Sequence, residues 1–324
     1  MFKNLLMPEE ISAMILRGDR LLLAGDIELL SQLPKGNWVG GTTPYFILYP
    51  EHMVTSHDRV FACTLPEYVE DVSIRKYSVS SMRDIYVNAP KNGFTVLIMP
   101  FGSKVAEEFA LHAVDYKNFA TYPICGWLSG REPETLLTKP SHVVSGIDGQ
   151  IYTDNGVAMH IQLPADKYAE LHIFNPYKQG KGDNISFDYG GMVLKDAFIN
   201  GERRNFAEYL RGINYKTRSP LVANYSGTMI NVSFIGAKGD TVYMYAPVYP
   251  SVNYRIGELD DTIASPSLIS SDIVFSVTCI INFLQPELCA RFLQKMNGSV
   301  AYGEVAYQLL NQTTVYVTVG DAQS

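Results

Sequence analysis

Two long apolar runs constrain the fold of this 324-residue chain more than any other feature of its sequence. The first is residues 94–99 (FTVLIM) and the second is residues 273–283 (IVFSVTCIINF). A strand with one face in water alternates polar and apolar side chains, whereas a strand covered on both faces has no need to. Neither run shows that alternation, so we expect both to be central strands of a layered structure.

Segments with sequence patterns typical of helices lie before and after these predicted strands. Residues 8–17 begin with Pro8 and two acids and end at Gly18, a pattern typical of a short helix. Residues 103–119 and 286–296 also carry helical patterns, and the former directly follows the first apolar run. A strand followed by an amphipathic helix indicates βα layering. The sequence therefore predicts a mixed α/β (α+β) fold of layered sheets flanked by helices, compatible with an α-β-β-α-like sandwich.

The second part of the chain predicts further strands. Residues 229–235 and 241–248 alternate on either side of the turn 236–240, which indicates a hairpin, and residues 313–319 form a final alternating strand. The length suits two medium domains. We therefore expect two intimately packed halves, residues 1–175 and 176–324.

Composition excludes several classes of function. The chain is 47% hydrophobic and 18% charged with a net charge of −7, and its basic residues are scattered, which argues against nucleic-acid binding. The longest apolar run is shorter than the roughly 20 residues that span a bilayer. The first residues lack the apolar core of a signal peptide, so we expect a cytoplasmic protein with reduced cysteines.

Three segments carry a resemblance to a known family. They are residues 36–44 (GNWVGGTTP), 220–227 (PLVANYSG) and 302–315, which contains YGEV and NQTTV. Together they resemble the FIST family of intracellular sensory domains, and more closely an uncharacterised bacterial FIST-like family. The resemblance implies a ligand-binding sensory protein of two FIST-like halves, without established catalytic residues and with room for a protein signalling partner. Some FIST proteins bind haem, but no histidine here maps onto a haem ligand, so the cofactor stays unknown.

Two segments in that resemblance offer ligand-binding residues. Gly41, Thr42 and Thr43 follow a predicted strand and could present backbone N–H groups and hydroxyls to an anion. The alternative is a tight packing turn, since glycine also permits close backbone approach. Glu304 lies in an otherwise apolar segment, where an acid must be solvated, paired or functional.

The second half of the chain provides two further candidate ligand-binding residues. Tyr245 shares a strand face with Tyr243 and could line a cavity, although such a face could equally be covered by another layer. Arg255 could clamp a ligand carboxylate or pair with Glu304.

Catalytic and metal signatures are weak. The four cysteines form no C-x-x-C pair, and His52 and His57 lack a set of further metal ligands other than Asp58. Cys125, in an exposed-looking segment, and Cys279, in an apolar strand, are the best nucleophile candidates, but neither has a histidine nearby in sequence. We therefore predict no catalytic residue and no metal site.

The sequence predicts a cytoplasmic, small-molecule-binding sensory or regulatory protein without catalytic activity. Two alternatives remain open: a thiol-dependent hydrolase or transferase, and a structural protein that binds a partner. For the leading interpretation we expect a pocket between the halves, formed by Gly41, Thr42, Thr43, Tyr245, Arg255 and Glu304.

Overall fold

The computed structural model describes residues 4–50, 52–136, 138–215, 218–225, 228–264, 272–293 and 295–322. The helices are α1 (Pro8–Arg17), α2 (Ile27–Leu30), α3 (Lys104–His112), α4 (Phe206–Gly212), α5 (Ile280–Phe283) and α6 (Pro286–Phe292). The strands are β1 (Leu5–Leu6), β2 (Leu21–Gly25), β3 (Trp38–Thr42), β4 (Tyr45–Leu48), β5 (His52–Thr55), β6 (Val60–Thr64), β7 (Asp71–Tyr77), β8 (Gly93–Pro100), β9 (Ile124–Ser129), β10 (Val143–Ser145), β11 (Gln150–Tyr152), β12 (Gly156–Gln162), β13 (Lys167–Phe174), β14 (Tyr177–Gln179), β15 (Ile185–Ser186), β16 (Gly191–Leu194), β17 (Asp196–Ile199), β18 (Glu202–Asn205), β19 (Leu221–Tyr225), β20 (Thr228–Val232), β21 (Phe234–Lys238), β22 (Thr241–Val248), β23 (Tyr254–Leu259), β24 (Ile273–Cys279), β25 (Gly298–Ala301), β26 (Glu304–Ala306), β27 (Gln308–Leu310) and β28 (Thr314–Asp321).

The protein is mainly β, with 45% of residues in strands and 15% in helices, arranged as five mixed or antiparallel sheets. The predicted α/β fold of sheets flanked by helices, and with it the α-β-β-α-like sandwich, is therefore wrong. The α-helices of the described residues have only four to ten residues each. In the segment predicted as a helix over residues 103–119, the α-helix ends at His112 and a 3-10 turn follows over Ala113–Asp115. Asn118 and Ala120 then adopt positive φ angles of 63° and 55°.

Contacts divide the chain into two compact units. Unit 1 comprises residues 1–173, 265–308 and 314–324, and unit 2 comprises residues 174–264 and 309–313. The division into FIST-like halves at residues 175 and 176 stays a prediction.

Three of the five sheets have six strands each. Their strand orders are β1-β6-β2-β3-β10-β11, β27-β26-β9-β8-β12-β7 and β13-β28-β24-β25-β4-β5. Each of these sheets contains a parallel pair, β2 with β3, β8 with β9 and β24 with β25, and helices lie on the chain between the paired strands. The first apolar run is a central strand as predicted, since β8 lies between β9 and β12. The second run is a central strand only over residues 273–279, where β24 lies between β28 and β25, because residues 280–283 form helix α5.

Helix α1 shows how local sequence sets an element of unit 1. The carboxylate of Glu10 accepts a hydrogen bond of 2.9 Å from the backbone N–H of Met7, which satisfies a donor before the first turn. Gly18 ends the helix with a φ of 95°, a conformation that glycine adopts without a Cβ penalty. Between these ends, Ile11 and Ile15 lie one turn apart and are buried in the core cluster that also contains strand residues of β2.

Unit 2 contains the other two sheets, with orders β18-β17-β15-β23-β19-β20 (β14 also pairs with β23) and β16-β22-β21. The predicted hairpin forms between β21 and β22. Its predicted first strand, residues 229–235, is divided at Ser233. The part before Ser233 belongs to β20, which pairs with β19, and the part after it belongs to β21. The Ser233 hydroxyl donates to the Gln312 side chain at 2.7 Å, and the Asn231 amide forms paired hydrogen bonds with Asn175. These buried polar bonds fix the division of the strand.

Candidate functional site

Unit 1 contains a partly open cavity of about 350 Å³ whose lining includes aromatic side chains. Residues of β2 and β6, residues of β24 and β25, and Trp127 of β9 line it. Trp127 stacks on Phe275 with ring centroids 5.9 Å apart and planes inclined by 21°, and Phe61 is a third aromatic lining residue. Cavities of this size that are lined by apolar and aromatic groups are typical of small-molecule sites.

The wall of this cavity carries no charge in the part of the chain that the structure describes. Its one ionisable group is the thiol of Cys63, which donates to the carbonyl of Val274 at 2.9 Å. Burial raises the pKa of the Cys63 thiol to about 12, so it is a neutral thiol at physiological pH. The remaining polar lining residues are amides and hydroxyls, including those of Asn297 and Ser299.

Trp127, which lines this cavity, carries a buried hydrogen-bond donor. Its side chain is 2% exposed, and its Nε1–H has no partner among the described residues. The other tryptophan, Trp38, donates its Nε1–H to the carbonyl of Pro34 at 2.8 Å. An unpaired buried donor costs free energy.

Gly41 lies against the same indole. A Cβ added to Gly41 would be 2.7 Å from Cγ2 of Ile98 and 2.8 Å from Nε1 of Trp127, both closer than real Cβ contacts. Ile98 and Trp127 are register partners in β8 and β9, so the missing side chain lets β3 approach this part of the sheet. These contacts support the packing interpretation of Gly41, and its role in ligand binding stays a prediction.

Three other predicted ligand-binding residues, Thr42, Thr43 and Glu304, are buried in unit 1. Thr42 exchanges hydrogen bonds with the backbone of His142 through its hydroxyl, which accepts at 3.1 Å. Thr43 accepts a bond of 3.3 Å from the N–H of Tyr45. Glu304 is fully buried and lies opposite Trp127 in the β26–β9 ladder, so it shares a sheet face with the cavity's indole. Whether any of them binds a ligand stays a prediction.

The two predicted residues of the second half belong to unit 2. Tyr245 is half-buried on β22, and its backbone N–H donates to the carbonyl of Ser233 at 2.8 Å. Arg255 of β23 lines a separate cleft of about 580 Å³, to which Tyr245 does not contribute. The predicted set of six residues is therefore divided between the two units.

A histidine–carboxylate group lies after β2 and β5. His57 Nδ1 is 2.7 Å from Asp26 Oδ2 and 3.8 Å from Glu132 Oε1. The hydrogen bond to Asp26 raises the pKa of His57, while burial raises the pKa of Asp26. The side chain of His52 lies outside the described residues. Within those residues, no group of three potential ligands is arranged to hold a metal ion.

The candidate nucleophiles are buried. Cys125 is fully buried, so the interpretation of its segment as exposed is wrong: all six residues of β9 are covered. Its thiol donates to the carbonyl of Thr95 at 3.4 Å, and burial raises its pKa well above the ordinary value. Cys279 is 1% exposed. A raised pKa disfavours the thiolate that a hydrolase or transferase would require.

Sequence reasoning did not find the cavity residues. Trp127, Phe275 and Cys63 come from strands far apart in the chain, and their contact depends on how the sheets stack. The one available signal was the composition of the chain, in which only two tryptophans occur. Large aromatic side chains often anchor ligand sites, but such a count does not say which residues they contact.

No helix in the described part of the chain has the length and apolarity that a membrane crossing requires. No curated protein matches the chain. The sequence does match, over residues 6–320, a family described as a Family of unknown function (DUF6976). Because this match covers nearly the whole chain, the protein belongs to the DUF6976 family.

Proposed function

We propose that this protein is a small-molecule-binding sensory or regulatory protein whose ligand occupies the cavity of unit 1. The observation that carries the proposal is a cavity of about 350 Å³ whose lining includes Trp127, a buried residue whose indole N–H has no partner among the described residues. A sensor needs a ligand-dependent change in stability or conformation, and a site that binds its ligand only in the folded state provides it through linkage. The resemblance to FIST sensory domains supports the same function.

The wall defines the chemical class of the ligand. Three aromatic rings and several aliphatic side chains favour a compact, largely apolar molecule. Since no described lining residue is charged, a charged ligand would lose its hydration without an ion partner, which is costly. The N–H of Trp127 favours one hydrogen-bond acceptor such as a carbonyl oxygen. We therefore propose a neutral aromatic or aliphatic carbonyl compound, and the small volume argues against haem.

Three probes of similar size test this class: acetophenone, ethylbenzene and benzoate. A Trp38→Phe background leaves Trp127 as the one tryptophan, so its fluorescence reports on the cavity. We expect acetophenone to bind best, ethylbenzene to bind roughly 5- to 10-fold more weakly because it lacks the acceptor, and benzoate to leave the emission unchanged. The further change Trp127→Phe, followed by thermal shift, should remove the preference for acetophenone.

Ala24 lines the cavity, so a larger side chain at this position should fill part of the space that the ligand would occupy. Ala24→Val and Ala24→Leu should reduce binding of both neutral probes in order of added volume. Ala158, a fully buried strand residue that does not line the cavity, provides the control Ala158→Val, which should bind like the parent. If Ala24→Leu folds and binds the neutral probes as well as the parent does, the ligand site is not this cavity.

A further inference from the structure

Unit 2 has a cleft of its own, with a chemical character opposite to that of the unit 1 cavity. It has a volume of about 580 Å³ and is lined by the segment before β15, by residues of and after α4, and by β23. Its ionisable lining residues among those described include Lys181, Asp183, Tyr209, Arg255 and Glu258. The cleft therefore contains two cations and two carboxylates. Whether it prefers an anionic or a cationic ligand depends on which of these charged groups already bind to other groups of the protein.

The carboxylates are engaged by the walls of the cleft. Asp183 accepts hydrogen bonds at both oxygens, from the Asn200 amide at 2.7 Å and from the Tyr209 hydroxyl at 3.0 Å. Burial, followed by the hydrogen bond and charge of Asp183, raises the pKa of Tyr209 to about 12, which keeps its hydroxyl protonated as a donor. Glu258 accepts a bond of 3.1 Å from the backbone N–H of Lys181.

Arg255 is not engaged in the same way. Its side chain is half-buried and donates a long hydrogen bond of 3.4 Å to the carbonyl of Gly180. Among the described residues no carboxylate forms an ion pair with it. The exposed Arg203 of the same unit, by contrast, pairs with Asp196 at 3.0 Å. A guanidinium has five N–H donors in a planar fork, so Arg255 retains most of its donors for a molecule in the cleft.

We infer that this cleft binds a small organic oxyanion, a carboxylate or a phosphate ester, through Arg255. The planar fork of a guanidinium matches two oxygens of either group and gives charge-assisted bonds. The exposed Lys181 at the cleft adds a second positive charge, and Tyr209 and Ile213 offer apolar surface for the body of the ligand. The site is independent of the proposed neutral ligand of unit 1 and takes the opposite class of molecule.

The test uses isothermal titration calorimetry on the full chain, with malonate and inorganic phosphate as probes and malonamide as the neutral counterpart. We expect at least one anion to bind and malonamide not to bind. Arg255→Gln should weaken anion binding at least tenfold, because it removes charged hydrogen bonds. Arg255→Lys, which keeps the charge but loses the fork, should weaken it less. Arg203→Gln removes a paired surface arginine and should leave binding unchanged.

Binding of malonate alone identifies a carboxylate ligand, and binding of phosphate alone identifies a phosphate ester. The inference is overturned if neither anion binds the parent chain. It is also overturned if Arg255→Gln and Arg255→Lys bind like the parent, or if Arg203→Gln weakens binding as much as Arg255→Gln, since that pattern indicates general surface attraction. Circular dichroism of each variant checks that it is folded, and Arg255→Lys carries the test if Arg255→Gln does not fold.

Discussion

The two tryptophans of unit 1 have different hydrogen-bonding environments in similarly buried positions. Trp38 is 1% exposed and donates to the Pro34 carbonyl, whereas Trp127 is 2% exposed and has no acceptor among the described residues. Replacing an indole by a phenyl ring removes similar apolar area at either position. The difference between the two substitutions therefore isolates the hydrogen bond.

We predict that Trp38→Phe destabilises the ligand-free protein more than Trp127→Phe does. The first change leaves the Pro34 carbonyl without its donor, while the second removes a donor that was already unpaired. The difference in free energy of unfolding should be about 1–2 kcal/mol. Urea unfolding followed by far-ultraviolet circular dichroism measures both. Equal losses would mean that the Trp127 N–H is satisfied in solution, for example by bound water.

A second residue-scale feature is the buried histidine His160. Its Nδ1 is 2.8 Å from the Thr95 hydroxyl and its Nε2 is 2.8 Å from the Tyr77 hydroxyl. Because Asn88 donates to the Tyr77 oxygen at 3.1 Å, the phenol is left to donate its own proton to Nε2. Burial, and then the charge of Arg75, lowers the pKa of His160 to about 4. The native protein thus holds this ring neutral.

This histidine should make the protein less stable in acid. The unfolded pKa near 6.5 exceeds the folded value of about 4, so the unfolded state alone binds a proton between those values. The free energy of unfolding should fall as pH falls from 6.5 to 4, by up to about 3 kcal/mol from this group. Urea unfolding at pH 7 and pH 4.5 should show a smaller difference in His160→Gln than in the parent.

His112 provides the matched control for that experiment, since its side chain is 53% exposed. His112→Gln should keep the pH dependence of the parent. A parent-like pH dependence in His160→Gln would show that other groups dominate acid unfolding.

At the scale of elements, sequence patterns predicted β8, which is covered on both faces, but not β9, whose six residues are also all buried. The eight residues of β8 are all buried, and an unbroken apolar run is the direct consequence. The same patterns failed for β7, whose residues are mostly exposed or half-buried and which pairs along one side with β12. An edge strand with polar side chains has no apolar periodicity to detect. Because many strands here are short or polar, the helices seemed more prominent in the sequence than they are in the fold.

The candidate site was less predictable than the fold. Arg255 was identified from its side-chain chemistry and does line a cleft, but its neighbours Asp183 and Tyr209 come from other segments. Gly41 was predicted as a ligand-binding residue from its glycine-rich segment. Its contact with Trp127 depends on the approach of β3 to β9, which the segment itself does not indicate. Residue type can be deduced from a sequence, whereas the juxtaposition of distant strands depends on long-range packing.

The whole chain passes from unit 1 to unit 2 and back more than once. Unit 2 takes residues 174–264 and also the short return segment 309–313. Within that segment the Gln312 side chain donates to the Tyr177 hydroxyl at 3.1 Å and to the Arg218 carbonyl at 2.9 Å. It also accepts from the Ser233 hydroxyl. Directly afterwards the chain forms β28, which lies between β13 and β24 in a sheet of unit 1.

We predict that ending the chain after Leu310 unfolds the protein. The truncation removes the Gln312 hydrogen bonds from unit 2 and an interior strand from unit 1, including the fully buried Val315 and Val317. Each buried backbone or side-chain group left without a partner costs about 1–3 kcal/mol, and several such losses exceed a typical net stability of about 5–15 kcal/mol. Thermal melting by circular dichroism should show no cooperative transition.

Ending the chain after Ala322 is the matched control, because β28 is then complete and the Ala322 N–H can still donate to the Asp166 carbonyl at 2.8 Å. This shorter truncation should melt close to the full-length temperature. Loss of β28 leaves β13 and β24 with unpaired edges inside a sheet, whereas a chain that ends at Ala322 keeps all of β28. A soluble chain that ends at Leu310 and melts cooperatively near the full-length temperature would show that neither unit depends on the C-terminal segment.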